Sequence, residues 1–384
     1  MKVAVLGYGT VGAGVYSMLS DAPGMEAGPV LVRPGKAVES FMVSDAALIF
    51  GDPTVDAVVE TLGGLGPAYS YGMRALEAGK HFITANKAMV ASHGLELAAL
   101  AREKGAAFLF SAACGGGVPF LHNLALSAET DRIEAVSGIL NGTTNYMLDA
   151  MQRRSLSYGD ALREAQSLGY AESDPTADVS GLDALRKMQL ACAVAFGVLP
   201  QSGMLCEGME HFTAADVEDI QSRGLVCRLM ARGSRAGESV SAYVEPVLFP
   251  RAAPESSVFT NNNMARYTGK RCGSIVLMGQ GAGRFPTASA VLRDLSAAQQ
   301  GARSMFPENC RAAEADNREA VHSYYIRTGG FAAVRLPLRS VLAQGEVVRA
   351  VTEPMSAEKM HALAQNIRKD GNDLFFAALE EELC

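Results

Sequence analysis

The sequence predicts an α/β protein that begins with a Rossmann-type, doubly wound parallel sheet. Through residue 111, short apolar runs alternate with helix-like segments, which is typical of strands connected by crossover helices. The first apolar run, Val3 to Leu6, leads directly into Gly7-Tyr8-Gly9-Thr10-Val11-Gly12. After Pro119 this alternation stops, and the pattern predicts a second, mixed α/β domain followed by a small α+β module.

The N-terminal elements are expected in a regular order. Strands are predicted at Val3–Leu6, Val30–Val32, Ala57–Glu60, His81–Thr84 and Ala107–Ser111. Helices are predicted after the Gly7–Gly12 motif through Leu19, at about Tyr69–Ala78 and at His93–Lys104.

The rest of the chain mixes both element types. Beyond Pro119, strands are predicted at Arg132–Leu140, Val240–Leu248, His322–Thr328, Glu346–Thr352 and Asp373–Ala377, and helices at Tyr146–Gln152, Tyr158–Leu168, Leu182–Phe196 and Ala357–Lys369. The last of these elements form either a separate module or an extension packed on the core.

Composition excludes several classes of protein. The 384 residues carry a formal net charge of −7 with interleaved signs, so the basic face that nucleic acids need is not expected. The seven cysteines contain no C-x-x-C pair, which predicts reduced thiols, no zinc site and a cytoplasmic location. The longest apolar run, Leu190–Leu199, is too short to span a membrane, so no membrane partner is expected.

The glycine motif predicts a dinucleotide site. Gly7 allows a tight turn, Gly9 allows a pyrophosphate to approach the backbone, and Gly12 allows close packing of helix on strand. The N-terminus of the following helix offers N–H donors to the phosphates. The alternative is an ordinary glycine-rich turn.

The end of the second strand bears on the choice of cofactor. An acidic residue usually holds the ribose 2′-hydroxyl of NAD at this point, but this chain has Arg33, followed by Lys36. Cations suit a 2′-phosphate, so NADP is favoured and NAD is possible. The alternative is that both are surface cations beside a turn.

A dense acidic stretch, GYAESDPTADVSGLDALRK (169–187), ends on a lysine. Asp183 and Lys187 are four residues apart and project from one face of a helix. That helix is otherwise apolar, so the pair is expected to face a cleft. The alternative is a surface ion pair that stabilises by only about 0.3–0.5 kcal/mol. The spacing of Asp174, Asp178 and Asp183 does not fit a calcium loop.

Six motifs together resemble the homoserine dehydrogenase family over residues 1–300. They are the opening glycine motif, VVETLGG (58–64), GKHFITANKAMV (79–90), CGGGVPF (114–120), GILNGTTNYML (138–148) and GQGAGRFPTASAV (279–291). The resemblance implies NAD(P)-dependent interconversion of L-homoserine and L-aspartate 4-semialdehyde, in threonine and methionine biosynthesis. It also implies a homo-oligomer, a dimer or a tetramer.

The resemblance and the residue pattern together predict four structural regions. Residues 1–130 form the NADP-binding domain, with residues 284–302 returning to it, and residues 131–283 form the catalytic and dimerisation domain. Residues 303–320 form a linker, and residues 321–384 form a shortened or degenerate ACT-like module. The tail lacks the Asp-x-Pro-Gly turn of a threonine-sensing ACT domain, so threonine inhibition is not expected.

The resemblance also implies roles for individual residues. Lys187 is expected to donate the proton to the carbonyl oxygen, paired with Asp183, and Lys87 is a second proton-handling candidate or else a surface lysine. The substrate-binding set is Lys87, Gly142, Thr143, Glu172, Asp178 and Asp183, with Glu172 on the ammonium group. The cofactor set is Gly7, Tyr8, Gly9, Thr10, Val11, Gly12, Arg33, Lys36, Lys87, Gly169, Glu172, Gly281 and Gly283. Asp174 is expected mainly to shape its turn.

One departure concerns a cation. In the family, a glutamate and three backbone carbonyls hold sodium, and the carbonyls correspond to Cys114, Gly116 and Val118. This chain has Ser111 in place of the glutamate, so a weakened or absent sodium site is expected.

Two further functions remain open at this point. The first is a dehydrogenase for another small amino-acid aldehyde, and the second is an NADP-binding regulatory protein without turnover. Against the second, Lys87, Thr143, Glu172, Asp183 and Lys187 are all present, and a protein without turnover has no chemical need for this set.

Overall fold

The computed structural model describes residues 1–333 and 335–380. Its N-terminal elements are β1 (Lys2–Leu6), α1 (Thr10–Leu19), β2 (Glu26–Leu31), β3 (Met42–Val43), α2 (Ala47–Phe50), β4 (Ala57–Glu60), α3 (Gly66–Glu77), β5 (His81–Thr84), α4 (Lys87–Lys104) and β6 (Phe108–Leu109).

The N-terminal strands form one parallel sheet in the order β3-β2-β1-β4-β5-β6. This is the strand order of a dinucleotide-binding Rossmann domain, so the predicted fold class is confirmed. Strand β4 is buried along its whole length, as a central parallel strand covered by helices on both faces requires. The carboxyl ends of β1, β4 and β5 consequently open onto the same edge of the sheet.

The middle of the chain contains helices and long antiparallel strands. They are α5 (Phe120–Thr130), β7 (Ile133–Ile139), α6 (Gly142–Arg154), α7 (Tyr158–Ser167), α8 (Thr176–Val179), α9 (Leu182–Phe196), β8 (Val198–Ser202), β9 (Leu205–Cys206), α10 (Ala214–Ser222), β10 (Leu225–Ala236), β11 (Ser239–Pro250), β12 (Asn262–Gly269), β13 (Gly273–Gln280) and α11 (Arg284–Gln299). Helix α11 returns to the N-terminal sheet, where Gln299 donates to the carbonyl of Gly24 at 2.8 Å.

The last elements complete the structure. They are β14 (Arg311–Glu314), β15 (Val321–His322), β16 (Tyr324–Gly329), α12 (Gly330–Ala333), β17 (Leu338–Ala343), β18 (Val347–Thr352), β19 (Met355–Ser356), α13 (Ala357–Lys369) and β20 (Leu374–Leu379). Residues 381–384 of the expected C-terminal module lie outside the described residues.

The tail is an extension of the middle sheet rather than a separate module. Strand β20 pairs in parallel with β11, and β16, β18 and β17 continue the same sheet beyond it. An apolar cluster then joins the two regions, because Phe249 and Met264 of the middle region pack with Tyr324 and Phe376 of the tail. The ACT-like character of the tail stays a prediction.

Residues 303–320 are more structured than the expected linker. Strand β14 pairs in parallel with β8, and Met305 and Phe306 are buried. The side chain of Asn317 accepts from the amide of Ala242 at 3.0 Å and donates to the carbonyl of Gly203 at 2.7 Å. The sequence predicts a linker here because the segment is polar, and its pairing partners lie far away in the sequence. The boundaries of the domains stay predictions.

Within the described ranges, no helix combines the length and the apolar character that crossing a bilayer requires.

One buried ion pair fixes the tail to α10. Asp216 is fully buried in the first turn of α10 and accepts from Arg327 of β16 at 2.7 Å. The same guanidinium donates to the carbonyl of His211 at 2.7 Å. Arg327→Leu should therefore lower the free energy of unfolding in urea by about 3–5 kcal/mol, because it leaves a buried carboxylate without its cation.

The control for this change is Arg335→Leu, which breaks an exposed ion pair with Asp370 in the same region. Its expected cost is below about 1 kcal/mol. Equal costs for the two variants would show that the tail does not depend on the buried pair.

Candidate active site

A cavity of about 590 Å³ opens at the carboxyl edge of the parallel sheet, between that edge and the helices of the middle region. Its walls come from the segments after β5 and β6, the N-terminus of α6, the 168–178 segment, α9, and the loop before α11. Carboxyl edges of parallel sheets are where α/β enzymes place their ligands. The cavity therefore has the position of an α/β-enzyme active site.

A carboxylate shared by two lysines lies in this cavity. Asp183 is in the first turn of α9, and its Oδ2 is 2.7 Å from Nζ of Lys187, one turn further along the helix. Its Oδ1 is 2.9 Å from Nζ of Lys87, which begins α4 after the cap residue Asn86. The aspartate therefore connects the N-terminal domain to the middle region.

Lys187 is held so that its charge is retained. Burial by itself lowers the pKa of Lys187, but the charge and the hydrogen bond of Asp183 outweigh burial and leave the pKa above its usual value. Burial likewise opposes the ionisation of Asp183, yet the two lysines hold its pKa well below its usual range. Nζ of Lys187 also donates to the carbonyl of Leu140 at 2.6 Å. An ammonium group has three donors, so one remains for a ligand.

A second carboxylate, Asp178, faces the same cavity. The Nδ2 atom of Asn141 donates to Oδ1 of Asp178 at 2.7 Å and to Oδ2 of Asp183 at 2.9 Å. The hydroxyl of Thr143 lies 3.2 Å from Oδ2 of Asp178 and 2.6 Å from the carbonyl of Tyr170. Burial raises the pKa of Asp178, against the hydrogen bonds from Asn141 and Thr143.

The rim of the cavity carries further charges. Glu172 and Asp174 are exposed and line the cavity from the segment between α7 and α8. Asp174 accepts from the amide and hydroxyl of Thr176 at 3.1 and 2.6 Å, so its predicted role in the turn is confirmed. Arg186 of α9 is exposed and also lines the cavity, and among the described residues it forms no ion pair.

Glycines bring the backbone close at the base of the cavity. A Cβ on Gly116 would lie 2.5 Å from the carbonyl carbon of Gly281, and one on Gly281 would lie 2.0 Å from Cγ of Asn263. No side chain can be inserted at either position without moving backbone or a buried amide. These glycines therefore allow three segments to meet beside the two lysines.

A second cleft, of about 1190 Å³, lies over the glycine motif. Gly7 has a φ of +100°, and a Cβ on Gly12 would lie 2.1 Å from the carbonyl oxygen of Gly7. A Cβ on Gly9 would meet nothing within 4 Å, and Gly9 caps α1 without a side-chain hydrogen bond. The first amides of α1 thus face open space, which is what a bound pyrophosphate requires.

Arg33 and Lys36 form the far end of this cleft. Both are exposed and follow β2, and the amide of Lys36 donates to the carbonyl of Arg33 at 3.0 Å in a turn. Tyr8 lines the cleft beside them, and its ring packs on Phe41 with centroids 5.7 Å apart. The cleft is thus cationic where the second strand ends.

Ser111 has a specific buried partner. Its amide and hydroxyl donate to the two oxygens of Asp294 of α11, at 2.7 and 2.5 Å. Burial raises the pKa of Asp294 to about 7, against both hydrogen bonds from Ser111. Of the three expected sodium ligands, Gly116 lines the cavity whereas Cys114 and Val118 are buried behind it. The carbonyl of Val118 accepts from the amide of Phe120 at 2.7 Å.

The predicted site residues fall into two groups. Lining the cavity are Lys87, Gly116, Gly142, Thr143, Gly169, Glu172, Asp178, Asp183, Lys187, Gly281 and Gly283. Lining the cleft are Gly7, Tyr8, Gly9, Arg33 and Lys36, with Thr10, Val11 and Gly12 in the first turn of α1. The structure adds Arg186, and it adds Asn141, whose amide contacts Asp178 and Asp183. In the sequence, the signal that Arg186 lines the cavity is its position next to Lys187.

A parallel dinucleotide-binding sheet with an open glycine turn, and a polar cavity at its carboxyl edge, are the features of an NAD(P)-dependent oxidoreductase. Residues 7–111 match the model of the homoserine dehydrogenase NAD-binding domain, and residues 119–296 match that of homoserine dehydrogenase. The chain belongs to the homoserine dehydrogenase family, which oxidises or forms a CH–OH group with NAD(P).

Individual relatives agree with this assignment. The homoserine dehydrogenase of Corynebacterium glutamicum is 38% identical over 76% of this chain and 70% of its own length. The homoserine dehydrogenase of Synechocystis is 37% identical over 77% of this chain and 72% of its own length. The crystal structure of a homoserine dehydrogenase from Thiobacillus denitrificans superposes with a TM-score of 0.87 at 29% identity, over 99% of this chain and 98% of that one. The two alternative functions are therefore not favoured.

Proposed function

We propose that the chain interconverts L-homoserine and L-aspartate 4-semialdehyde in the 590 Å³ cavity, with Lys187 as the group that moves the proton. The observation that carries this proposal is the carboxylate of Asp183 between Lys87 and Lys187. In the reduction direction a carbonyl oxygen gains negative charge and needs a proton. Lys187 has one donor left for that oxygen after its bonds to Asp183 and Leu140.

The remaining charges of the cavity suit an amino-acid substrate. Glu172 and Asp178 supply negative charge for the α-ammonium group. Arg186 and the N-terminus of α6, at Gly142 and Thr143, supply positive charge for the α-carboxylate. Lys87 adds a second cation near the reacting oxygen.

The nucleotide cleft fits a nicotinamide dinucleotide. The open space over Gly9 and the uncapped start of α1 suit its pyrophosphate. When bound, the nicotinamide supplies or accepts the hydride. Gly169, Gly281 and Gly283 line the neighbouring cavity together with Lys87 and Glu172, and their lack of side chains would allow backbone to approach the nicotinamide closely.

Replacement of the proposed proton donor tests the mechanism. Lys187→Met should lower kcat for NADP+ reduction by L-homoserine by about 10²- to 10⁴-fold, the usual contribution of a positioned acid or base. The fold should survive, because Asp183 keeps its ion pair with Lys87. Steady-state kinetics and thermal melting of both proteins measure the two effects.

Lys369→Met, in the last turn of α13 and far from the cavity, is the matched control. Full activity of Lys187→Met would remove the assignment of the proton donor. Absence of turnover by the folded native protein would remove the proposed function itself.

We propose NADP as the preferred cofactor, with NAD as a possible substitute, on the basis of Arg33 and Lys36 at the end of β2. Arg33→Ala should raise KM for NADP+ by roughly 10- to 100-fold, because a charge-assisted hydrogen bond contributes about 1.5–3 kcal/mol. KM for NAD+ serves as the internal control and should hardly change. Equal effects on both cofactors would place Arg33 away from the 2′-phosphate.

We infer that the glycine-rich loop binds sodium weakly or not at all. The hydroxyl of Ser111 is directed to Asp294, and the carbonyl of Val118 already has a donor in Phe120. This donor set does not match a hard cation, which prefers carboxylate and several free carbonyl oxygens. The rate should not change when sodium replaces potassium at constant ionic strength. A saturable rise with sodium would contradict this inference.

We also propose a cytoplasmic homo-oligomer, either a dimer or a tetramer. The six described cysteines are all unpaired thiols, as expected in a reducing compartment. Strand β13 is an edge strand of the large sheet and exposes Val276 and Met278, which suits contact with a second copy. Light scattering coupled to size exclusion measures the mass in solution.

A further inference from the structure

Asn141 occupies the space between the two carboxylates of the cavity. Its side chain lies at the start of α6, and the whole residue is only 4% exposed. One N–H of its carboxamide is directed to Asp178 of α8 at 2.7 Å, and the other to Asp183 of α9 at 2.9 Å. Both donors of the amide are thus used on carboxylates.

The helix cap fixes which way the amide faces. Oδ1 of Asn141 accepts from the amide of Thr144 at 2.8 Å and from its hydroxyl at 3.0 Å. A backbone N–H cannot accept, so the carbonyl end of the carboxamide must face α6. The NH₂ end must then face the carboxylates. The orientation follows from the backbone of the helix and not from the carboxylates themselves.

We propose that Asn141 is a positioning residue whose two N–H groups hold Asp178 and Asp183 apart as two separate anions, so that the cavity keeps both negative charges at the pH of catalysis. This inference rests on the function proposed above. Asp183 then pairs with the two lysines, while the charged Asp178 can bind the substrate's ammonium group. Without the bridging amide, two neighbouring buried carboxylates tend to retain one proton between them.

The electrostatic surroundings make Asp178 the sensitive member of the pair. Asp183 has two lysines against it, whereas Asp178 is hydrogen-bonded by Asn141 and Thr143. Burial and the charge of Asp183 raise the pKa of Asp178, and the bond from Asn141 opposes both. The charged and titratable groups around α8 are Asp183, Arg186 and Lys187 from α9, Lys87 from α4, Glu172 and Asp174 from the preceding segment, and Glu207 and Glu210 behind Ser180.

The sign of the expected pH effect follows from these contacts. Asp178 loses its charge as the pH falls through its pKa. Removal of the N–H donor raises that pKa further, so the charge is lost at a higher pH. The acid limb of kcat/KM for L-aspartate 4-semialdehyde should consequently move upward. This reaction direction is the informative one, because Lys187 is already protonated across the acid range and does not contribute to that limb.

The test compares Asn141→Ser with the native enzyme at saturating NADPH. Serine is also a good helix cap, so α6 keeps its N-terminal hydrogen bond while the bridging amide is lost. The acid limb should shift upward by about one pH unit, the size expected for loss of one hydrogen bond to a charged group. Asn141→Asp keeps the shape and the cap but adds a third carboxylate, and should shift the limb further. It also serves if the serine variant does not fold.

Asn145→Ser is the matched control. Asn145 is in the same helix and equally buried, but its amide donates to the carbonyls of Val258, Thr260 and Asn262 rather than to carboxylates. This control should lower the melting temperature and leave the acid limb where it is.

Three outcomes would overturn the inference. The limb of folded Asn141→Ser could coincide with that of the native enzyme, the limb could move downward, or Asn145→Ser could shift it by the same amount. A native enzyme that does not turn over the aldehyde would fail the proposed function instead, so the two failures are distinguishable.

Discussion

The carboxylate of Asp183 is the contact on which the site depends. It holds a lysine from α9 through one oxygen and a lysine from α4 through the other. Since α4 follows β5 of the parallel sheet and α9 lies in the middle region, this one carboxylate joins the two halves of the cavity. Burial of the charged carboxylate would be unfavourable without a partner, and the ammonium groups of the two lysines offset this cost. The same contact keeps Lys187 charged without using all of its donors.

The neighbouring polar groups add hydrogen bonds to Lys187 and Asp183 and leave their ion pair in place. Leu140 contributes a backbone carbonyl to Lys187, and the next residue, Asn141, contributes an amide to the carboxylate. Both lie where β7 ends and α6 begins, so one strand end orients both members of the Asp183–Lys187 ion pair. Close backbone contact at Gly116 and Gly281 encloses the same region without placing side chains in it. The backbone where β7 ends and α6 begins therefore fixes how Lys187 and Asp183 are oriented in the cavity.

Local patterns predicted much of the fold, and long-range pairing accounts for the differences. The predicted bounds of α9, α13, β4 and β5 match the structure. In each of these segments the apolar residues repeat with a regular period, and the pattern ends at a distinct residue. Helix α4 begins at Lys87 and not at His93, because the side chain of Asn86 caps it. The sequence patterns do not indicate β14, whose hydrogen bonds come from the distant strand β8. They also do not indicate β17, which forms a hairpin with the next strand, β18.

By itself, the sequence determined the class of cofactor, the order of the N-terminal elements and the pairing of Asp183 with Lys187. These depend on spacing within one turn or one helix, which local chemistry dictates. Only the tertiary structure decided that Lys87 reaches the same carboxylate, that Asn141 lies between two carboxylates, that Ser111 is bound to Asp294, and that the tail continues the middle sheet. Each of these joins residues far apart in the chain, and such contacts exist only once separate elements have packed together.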